Sequence, residues 1–177
     1  MTSVPQTLPS DPLIRAAGSF AIVSGIISAI GIVFLIAMFV LFATPLKTLG
    51  QTFGMLNDIC VAIQYLLTIP IALALYRILL PHNPGLIRIA TSVGIAAMIV
   101  VIMLQLALIF GVLTFERQVG WVSLAMIVGV GSWLVITGLI AQSTGRLPNS
   151  VVMSVVAVPY LGYPVWAFWL GRWLLTW

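Results

Sequence analysis

Asp58, Gln64, Tyr65 and Gln105 are the polar side chains of this sequence best placed for chemistry, because each lies in an otherwise apolar stretch. A carboxylate, a phenol and two carboxamides at membrane depth can hold a polar head or bond one another, and the carboxylate can carry a proton. At about 100° per residue, Asn57, Gln64 and Thr68 share one helix face with Cys60 at its edge, while Asp58 and Tyr65 lie on the adjacent face. Gln64 and Gln105 fall deep in their segments, where an unpaired polar group costs several kcal/mol. The two amides are expected to face the interior and bond each other, a gain of about 0.6–2 kcal/mol. The competing expectation is a polar cavity in which Asp58, Gln64, Tyr65 and Gln105 contact a ligand. Asp58 also has a plainer role, as an interfacial residue near a helix start, where negative charge suits the macrodipole.

Two other groupings stand out. Ala17, Ala21, Gly25 and Ala29 recur every four residues, with Ser24 and Ser28 beside them. Such a ridge lets a second helix approach closely, either within the bundle or from a partner chain. Ala125 and Gly129 form a shorter version that could be its mate. Trp166, Trp169, Trp173 and Trp177 fall within about 80° of one another on a helix, with Tyr163 and Tyr160 farther round. Trp173 and Trp177, near Arg172, read as an interfacial aromatic belt, and Trp121 is expected at the same interface. The deeper pair offers either ordinary packing or a stacking surface for a pigment, quinone or sterol.

Several chemistries are excluded. Cys60 is the only cysteine, so an intrachain disulfide and a multi-cysteine metal site are ruled out. His82, the only histidine, sits between Pro81 and Asn83, which removes bis-histidine haem and H-E-x-x-H zinc chemistry. Lys47, the only lysine, belongs to a loop rather than a mid-membrane Schiff base. Gly129-Val-Gly-Ser132 superficially looks like a serine-hydrolase motif, but no base is placed for Ser132. No cofactor, metal or catalytic residue is expected. The seven basic residues are scattered, so nucleic-acid binding has no support.

The elements that position these residues follow from the charges. Only 6% of residues are charged and mean hydropathy is +1.25, where a soluble domain is about 25% charged. Uncharged runs cover residues 16–46, 59–76, 89–115, 118–145 and 147–171, against the roughly 20 residues a helix needs to cross the hydrocarbon core. Residues 96–104 are apolar at every position, which excludes the alternation of a barrel strand. The expectation is an all-α, polytopic transmembrane bundle of five spans, near residues 16–44, 53–80, 88–115, 119–142 and 149–176. Pro159 and Pro164 should kink the last helix. Residues 1–12 form a polar, proline-rich tail, and residues 13–177 a single helical domain. The first apolar run is twice the core of a secretory signal and is expected to be retained.

An odd number of spans puts the ends on opposite sides. Arg15, Arg77, Arg88 and Arg146 then share the amino-terminal side, and Lys47, Arg117 and Arg172 the other. The positive-inside rule leans the amino terminus towards the cytoplasm.

Arg15-Ala-Ala-Gly18, Leu56-Asn-Asp58 with Ile71-Ala-Leu-Ala-Leu-Tyr-Arg77 and Pro81-His-Asn-Pro84, and Gly138-Leu-Ile-Ala-Gln-Ser-Thr-Gly-Arg-Leu-Pro148 are three short stretches of a pattern that extends over nearly the whole chain. This pattern resembles an uncharacterised bacterial membrane family catalogued as domain of unknown function 4386. The third stretch departs from the arginine-then-glutamate pattern of some members. The resemblance implies a small helical bundle in a bacterial inner membrane and supplies no activity or functional residues. Within the bilayer, the leading expectation is a non-catalytic interaction or accessory protein docking a copy of itself or another membrane subunit through the Ala17–Ala29 ridge. The alternative is binding or transport of a small apolar or amphipathic ligand, with a lipid-modifying enzyme third.

Overall fold

The computed structural model describes residues 11–145 and 162–177. Pro148, Asn149, Pro159, Tyr160 and the expected tail through Ser10 lie outside the described residues. The described chain is helical and contains no strand: α1 (Pro12–Phe42), α2 (Lys47–Leu79), α3 (Pro84–Ile109), α4 (Phe115–Thr144) and α5 (Gly162–Leu175). Helices α1 to α4 are long and apolar enough to cross a membrane, at 31, 33, 26 and 30 residues. The protein is thus a multi-pass membrane protein by length and composition. Helix α5 has 14 residues, a length of about 21 Å.

Each long helix starts several residues before its expected span, and in α1 and α3 a side-chain cap marks the start. Asp11 accepts a hydrogen bond from the Leu13 N–H at 2.9 Å, and Pro12 occupies the first turn. Asn83 does the same for the Leu86 N–H at 3.2 Å, ahead of Pro84. Helix α2 takes in Lys47 and the residues up to Phe53, so Asp58 lies about three turns inside it rather than near its start. Glu116 and Arg117, which fall between the third and fourth expected spans, occupy the first turn of α4. Gly111 and Gly145, with φ of 71° and 63°, close the ends of α3 and α4.

The outer surface suits hydrocarbon. On α1 alone Val33, Ile36, Phe39 and Val40 are more than half exposed. The inner surface is built on small residues. Ala17 and Ala21 are fully buried and Gly25 is buried, whereas Ala29 is exposed. A Cβ on Gly18 would lie 2.9 Å from the Gly171 carbonyl and from the Leu175 side chain, and one on Gly25 would lie 3.0 Å from the Pro164 carbonyl. The ridge is therefore occupied by α5 of the same chain. Gly129 likewise meets Ala97, and Gly94 meets Trp133, so the mate of Gly129 is α3 and not α1.

These contacts fix direction. Gly18 opposite Gly171 and Leu175, and Gly25 opposite Pro164 and Ala167, make α5 antiparallel to α1. The first described turn of α5 lies level with Ser24, near the middle of α1, and the helix ends where α1 begins. The start of α1, the ends of α2, α4 and α5, and the start of α3 all lie on one side, here the proximal side. This corrects the expectation that the two ends of the chain lie on opposite sides: α5 returns to the side from which α1 departs. Arg172 joins Arg15, Arg77 and Arg88 there. Trp121, on the first half of α4, lies towards the opposite, distal side from Trp173 and Trp177, not at their interface.

Candidate functional site

Tyr163 stands where α1, α2 and α5 meet. Its hydroxyl lies 2.7 Å from Ser24 Oγ and is hydrogen-bonded to Thr68 Oγ1. Thr68 in turn donates to the Gln64 main-chain carbonyl at 2.7 Å. Each hydroxyl has one hydrogen to give. Thr68 uses its own on Gln64, so Tyr163 donates to Thr68 and Ser24 donates to Tyr163. The other acceptor open to Ser24, that same carbonyl, is farther off at 3.4 Å. The outcome is a directed chain, Ser24 to Tyr163 to Thr68 to the Gln64 carbonyl. It joins three helices at mid-depth without a charge, as a hydrocarbon surround requires.

Facing this chain across a cavity, α4 changes its winding. Residues Ala125–Gly131 form a π-helix between the α-helical stretches Phe115–Leu124 and Ser132–Thr144. Such wide turns occur mostly as local insertions inside α-helices, frequently at functional sites. Gly129 lets this segment lie flush on Ala97 of α3, and its backbone stands off from α1 and α2. The Ser132 hydroxyl is spent on the Val128 carbonyl within the same segment.

The gap this leaves is a cavity of about 220 Å³. Ser28 of α1, Val61, Gln64 and Tyr65 of α2, and Tyr163 of α5 line one side. Met126, Ile127, Val130, Gly131 and Leu134 of α4 line the other. Ile127 is 73% exposed, so the cavity opens sideways at the lipid-facing surface. The Tyr163 hydroxyl is already engaged in the chain above. The Ser28 hydroxyl and the Gln64 carboxamide have no side-chain hydrogen-bond partner among the described residues.

The residues singled out from the sequence part company here. Gln64 and Tyr65 line the cavity; Asp58 and Gln105 do not. Gln64 and Gln105 do not bond each other either. Gln105 accepts from Gln118 Nε2 at 2.7 Å, with both residues buried. The early start of α4 explains this correction, since it turns Gln118 inward one turn into a helix. Asp58 is half-buried beside the buried Asn57 and makes no ion pair among the described residues. The four tryptophans do not form one surface. Trp166 is buried edge-on against Trp133 at 6.4 Å, Trp169 faces outward at 48% exposure, and Trp173 and Trp177 pair at 5.2 Å on the proximal side.

Sequence reasoning passed over Tyr163 and Ser28, the first as one more aromatic of the last span and the second as a small ridge residue. The signal for the hydroxyl chain was the presence of Ser24, Thr68 and Tyr163 at mid-depth of three apolar segments. A second group left no such signal: Thr91 Oγ1, Trp133 Nε1 and Thr137 Oγ1 are buried in α3 and α4 without a hydrogen-bond partner. Chemically, the arrangement can shelter a small molecule from lipid and offer it the Ser28 hydroxyl and the Gln64 carboxamide. No protein-family model, curated protein or solved structure matches the chain.

Proposed function

We propose that this protein binds a small apolar or amphipathic molecule inside the bilayer, in a bundle of four spans with α5 packed against α1. It performs no chemistry of its own on that molecule. The observation that carries this reading is the 220 Å³ cavity beside the π-helical segment. For scale, an apolar cavity of about 150 Å³ stays dry and takes up benzene. A mouth beside the exposed Ile127 supports entry from the lipid phase. The accessory reading relied on the Ala17–Ala29 ridge, and α5 already covers most of it.

Arg15, Arg77, Arg88 and Arg172 on the proximal side, against Lys47 and Arg117 on the distal side, support a cytoplasmic proximal side. The setting we assign is a bacterial inner membrane. Kinship with domain of unknown function 4386 belongs to the same proposal and rests on the three quoted stretches.

The test is what accompanies the protein through purification in mild detergent, read by mass spectrometry of an organic extract. The expected result is a small molecule in near-stoichiometric amount with the wild type and its loss from Leu134→Trp, which fills the cavity. An equal yield from a Leu134→Trp variant that melts like the wild type would overturn the reading.

A further inference from the structure

We infer that the cavity selects an uncharged, ring-sized amphiphile of the phenol class, whose head both donates and accepts a hydrogen bond. This rests on the binding function proposed above. The head is fixed by what the walls leave unpaired. Gln64 presents an N–H donor and a C=O acceptor, and Ser28 presents a hydroxyl that can act either way. The Tyr163 hydroxyl is committed to Ser24 and Thr68. A hydrocarbon would leave the Gln64 amide and Ser28 unpaired, and a quinone, which only accepts, would leave the Gln64 carbonyl unmatched. A phenolic hydroxyl answers both, accepting from Gln64 Nε2 and donating to Gln64 Oε1 or Ser28 Oγ.

Charge is excluded by the walls. No Asp, Glu, Lys or Arg lines the cavity, so a carboxylate or ammonium would have to shed its water with no counter-charge. Asp58, one turn before Val61 on α2, is outside the lining. Size is set by volume: 220 Å³ exceeds what benzene needs and is well short of a whole lipid. The mouth beside Ile127 favours solutes that partition into the bilayer before they bind.

The experiment uses four rings of nearly equal shape on the full chain in lipid nanodiscs: p-cresol, p-xylene, 4-methylbenzoate and 4-methylbenzylamine. Affinity is read by calorimetry and by the rise in melting temperature. The expected result is p-cresol binding at least tenfold tighter than p-xylene, with the two ions weaker still. Sites built to hydrogen-bond a hydroxyl reject the analogue that lacks it. Gln64→Leu, which leaves the main-chain carbonyl in the hydroxyl chain intact, should erase the p-cresol advantage without weakening p-xylene. Ser28→Ala should reduce it several-fold. Equal affinity for p-cresol and p-xylene in the wild type, or preference for either ion, overturns the phenol assignment while leaving the cavity as a binding site. Failure of all four to bind or stabilise the wild type overturns the binding function as well.

Discussion

Removing the Tyr163 hydroxyl takes the middle link from a chain of four groups. In Tyr163→Phe, Thr68 keeps the Gln64 carbonyl, and Ser24 falls back on the same acceptor at 3.4 Å. The expected loss is about 1 kcal/mol, in the range of inter-helical hydrogen bonds in membranes, measured by unfolding in mixed micelles. Gln105→Leu should cost more, about 1–3 kcal/mol, because it strands the buried Gln118 amide. The double variant Gln105→Leu/Gln118→Leu should recover much of that. A double variant worse than the sum of the singles would mean the pair is not the unit we describe. Thr137→Val should go the other way and stabilise by up to about 1 kcal/mol, since Thr137 Oγ1 has no partner to lose. Asp11 sets the response to acid. Its carboxyl is held below the ordinary 3.8, first by the Leu13 N–H and then by the Arg77 guanidinium, 2.9 Å away. A lowered value adds stability above the ordinary range and loses it as pH falls through the folded value. Melting temperature should therefore change little through this group from about pH 8 to 5 and fall below about pH 4. The gap between wild type and Asp11→Asn should close over the same acidic window.

At the scale of helices, the glycines separate by what faces them. A methyl on Gly171 would lie 2.7 Å from the Gly18 carbonyl, and one on Gly18 would meet backbone and side chain of α5 at 2.9 Å. Gly18→Ala and Gly171→Ala should each cost about 1–3 kcal/mol, as overpacking does. Gly120→Ala, with nothing within 4 Å, should gain up to about 1 kcal/mol through helix propensity. The helices themselves were legible from the charge spacing and apolar runs alone. So was the small-residue ridge, though not what it would meet: Ala17, Ala21 and Gly25 look the same in sequence whether α5 or another chain covers them. The ends of the helices were less legible, because Asp11, Lys47 and Asn83 extend them by capping and by polar turns outside the apolar runs. The π-helix was not legible, since Gly129 and Gly131 in an apolar run read simply as close packing. The cavity follows from that segment, so only Gln64 and Tyr65 of its lining were reachable in advance.

For the whole molecule, direction matters most. A count of hydrophobic runs puts the two ends of the chain on opposite sides, while the contacts of Gly18 with Gly171 and Leu175 bring α5 back beside the start of α1. Reporters fused before Pro12 and after Trp177 should score on the same side. A split result would refute the antiparallel placement of α5 and the charge argument built on Arg172. The hydroxyl chain has a further bearing, on how the molecule assembles. Ser24 and Tyr163 are 139 positions apart in sequence, whereas Ser24 and Thr68 sit on consecutive helices. Until α5 docks, the α1–α2 pair therefore has only the Gln64 carbonyl to serve both Thr68 and Ser24, the latter at 3.4 Å, and loop closure over that separation is slow. Docking of α5 should be the last step of folding, and Tyr163→Phe should mainly speed unfolding while leaving the refolding rate nearly unchanged.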